Sequence, residues 1–218
     1  RGFKSSETSF LVQNMKKKKK NLSYYMGNVA IIFVTLMFSF FPLYVSDRYY
    51  YIRHDKLYAF YVLASLLVIV MGSVLLTHYN QRDKENKIEN KKNKFSFTDY
   101  GMIGFLISAI ISTLVSDYKF DSLTGALGRN NGLILIFTYF VIYFIISRTY
   151  RENKVVPIVM AVVSSFVAFI GILQQFYWDP LNLYNGMSSS QYTKFISTIG
   201  NRNIFSAYLT IVMPLCMV

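Results

Sequence analysis

Two short polar clusters of similar composition each stand directly before a long apolar run. The first is Gly128-Arg129-Asn130-Asn131-Gly132, and the second is Gly200-Asn201-Arg202-Asn203. Glycine lets the backbone approach a bound group closely, asparagine is a favoured helix cap, and a guanidinium matches the oxygens of a phosphate. If each cluster opens a helix, its unpaired amides and dipole also favour an anion. The residue types predict an anion site made of Gly128, Arg129, Asn130, Gly200, Asn201, Arg202 and Asn203.

The same residue types also have a purely structural interpretation. Glycine and asparagine are common in turns and at helix ends, and an arginine in a loop needs no ligand. The presence of two similar clusters, each before an apolar run, supports the anion hypothesis more strongly than either cluster would alone. Both interpretations stay open at the level of the sequence.

The apolar runs between the charged segments are long enough to cross a bilayer. The 218-residue chain is 53% hydrophobic and 17% aromatic, yet its net charge is +12. A membrane-crossing helix needs about 20 residues, and these runs are apolar on every side rather than striped at the helical period. The sequence therefore predicts an all-α, polytopic transmembrane bundle of about six spans. They are centred on Val29–Val45, Leu57–Tyr79, Tyr100–Ser116, Leu133–Ser147, Val155–Phe176 and Ile204–Val218.

The distribution of lysine and arginine predicts the orientation of these spans. These residues are retained on the cytoplasmic side of a membrane. With the N-terminus inside, the inner segments hold 16 of the 23 lysines and arginines and the outer segments hold 7. We therefore expect a multi-pass protein of the cytoplasmic (inner) membrane, with both polar clusters at its outer face. Because topology explains the positive charge, no nucleic-acid partner is expected.

The rest of the chain divides around these spans. Met15, followed by Lys16–Lys20, looks like a natural start, so residues 1–14 are expected to be a disordered or non-native leader. Val218 falls within an apolar run, so the transmembrane domain is expected to be incomplete at its C-terminus. The predicted segments are a basic cytoplasmic N-terminus at 15–26, the transmembrane domain at 27–218, a cytoplasmic linker at 80–97, and external loops at 46–56, 117–131 and 177–203. Membrane lipid is an expected partner of the basic segments.

Other chemistry finds little support in the sequence. Cys216 is the single cysteine, which excludes a disulfide framework and a cysteine metal site within this chain. Asp117 and Asp121 are four residues apart, but nothing brackets them with further ligands, and we expect them to be solvated. No phosphate-binding loop, metal-spacing motif or serine nucleophile signature occurs. No metal or cofactor is expected.

Three segments resemble those of the O-antigen ligase and O-antigen polymerase superfamily. Leu114–Leu133 (LVSDYKFDSLTGALGRNNGL) is similar to an S…G…R…G signature that precedes a span in that family. Gly171–Phe176 (GILQQF) is similar to its Gly-x-x-Gln segment, and Gly200–Leu209 (GNRNIFSAYL) resembles its G-N-x-N-x-x-A-x-Y-L motif. The segments occur in the family's order, and the resemblance covers roughly residues 25–218.

The resemblance implies a membrane glycan transferase that acts without a metal. Members take an oligosaccharide from an undecaprenyl-pyrophosphate carrier at the outer face of the membrane and pass it to a glycan, lipid or protein acceptor. Arginines neutralise the leaving pyrophosphate, which assigns Arg129 and Arg202 to that role here. A polyprenyl-pyrophosphate-linked glycan is therefore the expected substrate.

The resemblance leaves the catalytic group unassigned. The family's histidine lies in a large external loop that would follow residue 218, so these 218 residues alone are expected to be an inactive fragment. His54 is the only histidine expected outside, and we interpret it as a solvated loop residue. A transporter or flippase of lipid-linked glycans is the alternative, since it would bind the same carrier. The absence of charged residues from the predicted spans favours the enzyme.

Overall fold

The protein is mostly helical, in agreement with the predicted fold class. A computed structural model describes residues 3–82, 95–126, 130–192 and 194–217, with side chains for all of these except 3–21, 78–82 and 216. About 74% of the chain is helix. The helices are α1 (Phe3–Leu43), α2 (Ile52–Arg82), α3 (Phe97–Val115), α4 (Lys119–Thr124), α5 (Leu133–Thr149), α6 (Val155–Gln175), α7 (Ser189–Tyr192) and α8 (Arg202–Cys216). Two strands of two residues each, β1 (Phe195–Ile196) and β2 (Gly200–Asn201), precede α8.

Within the described residues, four helical segments are long and apolar enough to cross a membrane, which indicates a multi-pass membrane protein. They are Leu22–Leu43, Ile52–Thr77, Phe97–Val115 and Val155–Gln175. The other two predicted spans are also helices, but they are shorter. α5 has 17 residues and α8 has 15, against the roughly 20 that a bilayer requires.

Several of the predicted leader and loop segments contain regular secondary structure. α1 begins at Phe3, so most of the segment predicted as a leader is helical backbone. α2 begins at Ile52 and shortens the predicted loop 46–56. The predicted loop 117–131 contains α4, and the predicted loop 177–203 contains α7 and both strands. Most of the predicted linker, at 83–94, lies outside the described residues.

The core is built where α1, α2 and α5 meet, and a second contact face runs along α6. Phe33, Leu67 and Met71 are buried together, with isoleucines of α5 packed against them. α6 contacts α1 and α8. Its buried residues recur every three or four positions and therefore form one face of the helix. They are Val156, Met160, Ser164, Val167, Ile170, Gly171 and Gln174.

Long-range hydrogen bonds define two ends of the bundle. At one end, Arg148 pairs with Asp99 and Arg151 donates to Ser23. We call this the basic end, because the segment 148–154 lies there. At the other end, the turn after α1 is bonded to the segment after α6. We call it the hairpin end, and of the described residues it contains 44–51, 116–126, 130–132, 176–192 and 194–201.

The basic end is held by one buried carboxylate. Asp99 accepts from the amide of Ser96 at 2.8 Å, which completes a capping box at the start of α3. It also accepts from Tyr143 at 3.0 Å and from the Arg148 guanidinium at 3.2 Å. The guanidinium lies over the ring of Phe144, 4.4 Å from its centroid. These contacts fasten α3 to α5 and place the start of α5 at the hairpin end.

Candidate anion site at the hairpin end

The second polar cluster forms half of a small β-hairpin that leads into α8. Phe195 pairs with Asn201 and Ile196 with Gly200 in antiparallel register. Gly200 has φ +92°, a backbone conformation that residues with a Cβ rarely adopt. A Cβ there would also lie 3.1 Å from the side chain of Ile52. Glycine is therefore required at this position for the turn and for close packing on α2.

The tip of the hairpin is buried between the helices. The Ser197 hydroxyl donates to the carbonyl of Val167 at 2.6 Å, and Ser197 is 0% exposed. Val167 lies eight residues before Gln175, the last residue of α6, which corresponds to roughly 12 Å along the helix. Non-helical backbone at such a depth is tolerated in a membrane protein where protein surrounds it. The side-chain oxygen of Thr198, the next residue, is buried with no hydrogen-bond partner among the described residues.

Gln174 joins the hairpin to the turn after α1. Its side-chain carbonyl accepts from the amide of Ser197, and its amide nitrogen donates to the Tyr49 hydroxyl at 3.2 Å. The Tyr49 hydroxyl donates to the Ser197 carbonyl at 2.7 Å. Burial raises the pKa of Tyr49, so this hydroxyl stays neutral in the folded protein. Three segments far apart in sequence are thus locked together.

A second group of contacts supports the base of the hairpin. Asp179 accepts from the Gln174 amide at 3.1 Å and from the backbone of Tyr184 at 2.8 Å. The Tyr184 hydroxyl donates to the Phe195 carbonyl at 2.8 Å. Burial raises the pKa of Tyr184, while the positive charge of Arg202 acts in the opposite direction. The guanidinium of Arg202 therefore lies within electrostatic reach of this hydroxyl.

Asn201 caps α8, as the structural interpretation of the cluster predicted. Its side-chain oxygen accepts from the amide of Asn203 at 2.8 Å and from that of Ile204 at 3.4 Å. The amide of Arg202 donates to the carbonyl of Lys194 at 3.3 Å. The first amides of α8 are thus bonded within the protein. An anion at this end must therefore be held mainly by side chains rather than by the helix N-terminus.

The hairpin brings a second cation beside Arg202. Lys194 precedes β1 and Arg202 follows β2, so the two residues face each other across the end of the ladder. Both are exposed. Like charges placed opposite each other on neighbouring strands repel, and an anion between them would relieve that repulsion. Sequence reasoning placed Lys194 in an external loop and did not include it in the candidate site.

The described part of the first cluster has a turn conformation. Asn130 has φ +52°, and its amide donates to the carbonyl of Ala126 at 3.1 Å. A Cβ on Gly132 would clash with the backbone of Leu123 and Gly125. These residues close a tight loop before α5. Gly128 and Arg129 lie outside the described residues, so the expected proximity of Arg129 to Arg202 stays a prediction.

The described part of the first cluster, Asn130–Gly132, lies at the same end of the bundle as the second cluster but has different neighbours. α5, which follows the first cluster, contacts α1, α2, α3 and α4. α8, which follows the second cluster, contacts α6 and the hairpin. Among the described residues, more hydrogen bonds hold the second cluster in place than hold the first. Of the two predicted arginines, only Arg202 has surroundings that the structure describes.

The remaining candidates behave as ordinary surface residues. His54 lies in the first turn of α2 rather than in a loop, and its ring contacts Tyr58 with centroids 4.5 Å apart. Asp117 and Asp121 are both exposed. Within the described residues, no group of three histidine, cysteine or acidic side chains is arranged to hold a metal ion.

Sequence reasoning found some of the polar residues at this end and missed others. Gln174 belongs to the segment Gly171–Phe176, which sequence analysis identified by its resemblance to the family. A polar glutamine at the end of an apolar span also indicates a hydrogen-bonding role. Tyr49 and Ser197 gave no such signal, because tyrosine and serine are common near span ends. Within the GNRNIFSAYL segment, Ser206 stands where the family motif has alanine, while Tyr208 bonds to Ser164 of α6 at 2.7 Å.

Comparisons with known proteins identify no relative of this chain. No family model matches the sequence, no curated protein is similar to it, and no solved structure matches its fold. Hypotheses about its function therefore rest on the chemistry of the hairpin end and on the three motif-like segments.

Proposed function

We propose that this protein acts as a membrane glycan transferase similar to O-antigen ligases and polymerases. It would move an oligosaccharide from a polyprenyl-pyrophosphate carrier to a glycan, lipid or protein acceptor at the outer face of the cytoplasmic membrane. The observation that carries the proposal is the pair of exposed cations, Lys194 and Arg202, at the base of a rigid hairpin beside a membrane-crossing helix.

Two of the motif-like segments contact each other at this place, which supports the proposal. A Cβ on Gly171 would lie 3.2 Å from the ring of Phe205, so glycine allows α6 and α8 to approach closely. Gln174 accepts from the amide of Ser197 just before the last segment. Segments that resemble a family signature and also meet in space are more informative than the same segments scattered over the bundle.

The chemical role of the two cations follows from the charge of the carrier. A pyrophosphate that leaves with its lipid carries negative charge that grows as the glycosidic bond breaks. Cationic side chains beside it stabilise that charge, and a charge-assisted hydrogen bond contributes roughly 1.5–3 kcal/mol. Arg129, Asn130 and Gly128 of the first cluster are proposed as further contacts, and the group that activates the acceptor is not assigned.

Binding of the carrier tests the proposal directly. The purified protein in lipid nanodiscs should bind polyprenyl pyrophosphate more tightly than the monophosphate. Arg202→Gln and Lys194→Gln should each weaken binding of the pyrophosphate about tenfold, which corresponds to the loss of one charge-assisted bond. In cells, the same variants should lower glycan transfer while membrane insertion stays normal.

Lys154→Gln is the matched control, because Lys154 is an exposed cation at the basic end. It should leave binding and transfer at the level of the unaltered protein. Unchanged binding in both Arg202→Gln and Lys194→Gln would refute the anion site and favour the structural interpretation of the cluster.

A transporter or flippase of lipid-linked glycans is the second candidate. The buried hairpin favours it, because transporters place non-helical backbone within the membrane at their binding sites. Proteoliposomes loaded with a labelled lipid-linked glycan separate the two functions. A transferase attaches the glycan covalently to an acceptor, whereas a transporter moves the glycan across the bilayer still attached to its carrier.

A further inference from the structure

An exposed aromatic turn follows α6 at the hairpin end. Phe176, Tyr177 and Trp178 are 78%, 94% and 64% exposed. They come directly after Gln175, the last residue of a helix that is long and apolar enough to cross a membrane. Three successive aromatic rings in water would leave a large apolar area uncovered. Their position at the end of a span indicates that the bilayer provides the cover.

The turn is held in one conformation from both sides. The amide of Tyr177 donates to the carbonyl of Gln174 at 3.1 Å, and the amide of Trp178 donates to that of Leu173 at 3.1 Å. This pair of bonds is a Schellman helix end. The next residue, Asp179, accepts from the Gln174 side chain at 3.1 Å. Because the backbone is fastened before and after the turn, the fold itself directs the rings outward.

Tyr177 occupies the position of the Schellman end where glycine is usual. Its φ is +62°, a conformation that disfavours any residue with a Cβ. A bulky aromatic residue at such a position, with its ring almost fully exposed, indicates that the ring contacts something outside this chain.

We propose that Phe176–Trp178 is an interfacial anchor whose rings lie in the headgroup layer of the bilayer and set the depth of α6. Tyrosine and tryptophan have an apolar body and a polar tip, and they concentrate at membrane–water boundaries for that reason. Tyr50 and Tyr51, which are 54% and 65% exposed, are further exposed aromatic residues at the same end of the bundle. The anchor is independent of the glycan transferase activity proposed above.

The single tryptophan of the chain makes the test selective. Trp178 is the only tryptophan, so the fluorescence of the reconstituted protein reports on this turn alone. The protein is placed in phosphatidylcholine vesicles whose lipids carry bromine either near the headgroup or near the bilayer centre. We expect shallow bromine to quench Trp178 severalfold more than deep bromine. Iodide in the water should quench it severalfold less than it quenches free N-acetyl-tryptophanamide.

Two opposite results would overturn the anchor. Iodide quenching as efficient as that of the free compound, with no quenching by either lipid, would place the turn in water. If a soluble oligosaccharide then protected Trp178 from iodide, the rings would be a glycan-stacking surface instead. Stronger quenching by deep bromine than by shallow bromine would place the turn inside the hydrocarbon layer.

Substitution of Tyr177 separates anchoring from folding. Tyr177→Gly and Tyr177→Asn fit the left-handed conformation and remove the ring. We expect both to raise the melting temperature in detergent and, in vesicles, to increase iodide quenching of Trp178. Tyr24→Asn, which removes an exposed ring at the basic end, should leave Trp178 quenching unchanged. A Tyr177 variant with the quenching profile of the unaltered protein would contradict an anchoring role for Tyr177.

Discussion

At the scale of single residues, the buried side chains of Tyr49, Gln174 and Ser197 at the hairpin end hold the backbone. Gln174 donates to Tyr49 and Asp179 and accepts from Ser197. Each of these bonds replaces a hydrogen bond to water that the buried group loses on folding. A buried polar group left without a partner lowers the free energy of unfolding by about 1–3 kcal/mol. The network therefore positions Arg202, while its own members are too buried to meet a large ligand.

Tyr49→Phe tests this network and its pH dependence. The variant leaves the Ser197 carbonyl without its donor, so the free energy of unfolding should fall by about 1–3 kcal/mol at neutral pH. Burial raises the pKa of Tyr49, so the stabilisation from its neutral hydroxyl is complete below pH about 10 and is lost as the pH rises further. Tyr49→Phe should therefore lose less stability than the unaltered protein between neutral and strongly alkaline pH.

Thermal unfolding in detergent at several pH values provides the measurement. Tyr51→Phe is the control, because Tyr51 belongs to the same tyrosine run but is 65% exposed. It should behave like the unaltered protein. Identical alkaline profiles for Tyr49→Phe and the unaltered protein would show that this buried hydroxyl does not govern the response.

At the scale of elements, three of the described helix ends are closed by specific side chains. Asn201 caps the start of α8, and Asp99 closes the start of α3. The ammonium of Lys56 donates to the carbonyls of Phe41 and Pro42 at 2.9 and 3.2 Å, at the end of α1. A cation at this position satisfies free carbonyls and complements the negative end of the helix dipole.

The capping role of Asn201 predicts an ordering of variants. Asn201→Ala should lower the free energy of unfolding by about 1 kcal/mol, because two amides lose their acceptor, whereas Asn201→Ser retains one. Asn203→Ala, two residues after the cap, should change the free energy of unfolding by less than about 0.5 kcal/mol. Chemical denaturation in detergent gives these differences. Equal effects of the two alanine substitutions would argue against a capping role for Asn201.

At the scale of the whole molecule, the bundle separates its loops onto two ends. The turn after α1 and the long segment after α6 lie at the hairpin end, since Arg48 donates to the carbonyl of Asn185 at 3.4 Å and Tyr50 to that of Gly186 at 2.6 Å. The segment 148–154 lies at the basic end. This arrangement agrees with alternate crossing by the helices, and the charge distribution predicts which end faces the cytosol.

Labelling of single cysteines tests both the separation of the loops onto two ends and the end that faces the cytosol. In a Cys216→Ser background, cysteines at the exposed positions Tyr51 and Asn185 should react with a membrane-impermeant maleimide added outside intact cells. A cysteine at Glu152, exposed at the basic end, should react only after the membrane is permeabilised. Reaction of Tyr51 and Asn185 from opposite sides would contradict the bundle. Reaction of both only from the cytosol would reverse the topology and remove the anion site from its expected substrate.

Prediction from sequence worked where the physical signal is local. The long uncharged runs are helical, because a chain that is apolar on all sides can satisfy its backbone in lipid only as a helix. Asparagine before an apolar run predicted a cap, and Asn201 has that role. The candidate arginines were recognisable by type, although the surroundings of Arg202 were not.

The sequence by itself thus determined the helical class, the membrane environment and the start of α8, since each depends on the composition of one short stretch. Only the tertiary structure decided that the hairpin is buried, that Lys194 faces Arg202, and that Tyr49 and Gln174, 125 residues apart, share a hydrogen bond. Such pairings depend on which helices pack together and at what depth. That outcome is set by the summed contacts of the bundle, and no single segment of the chain contains it.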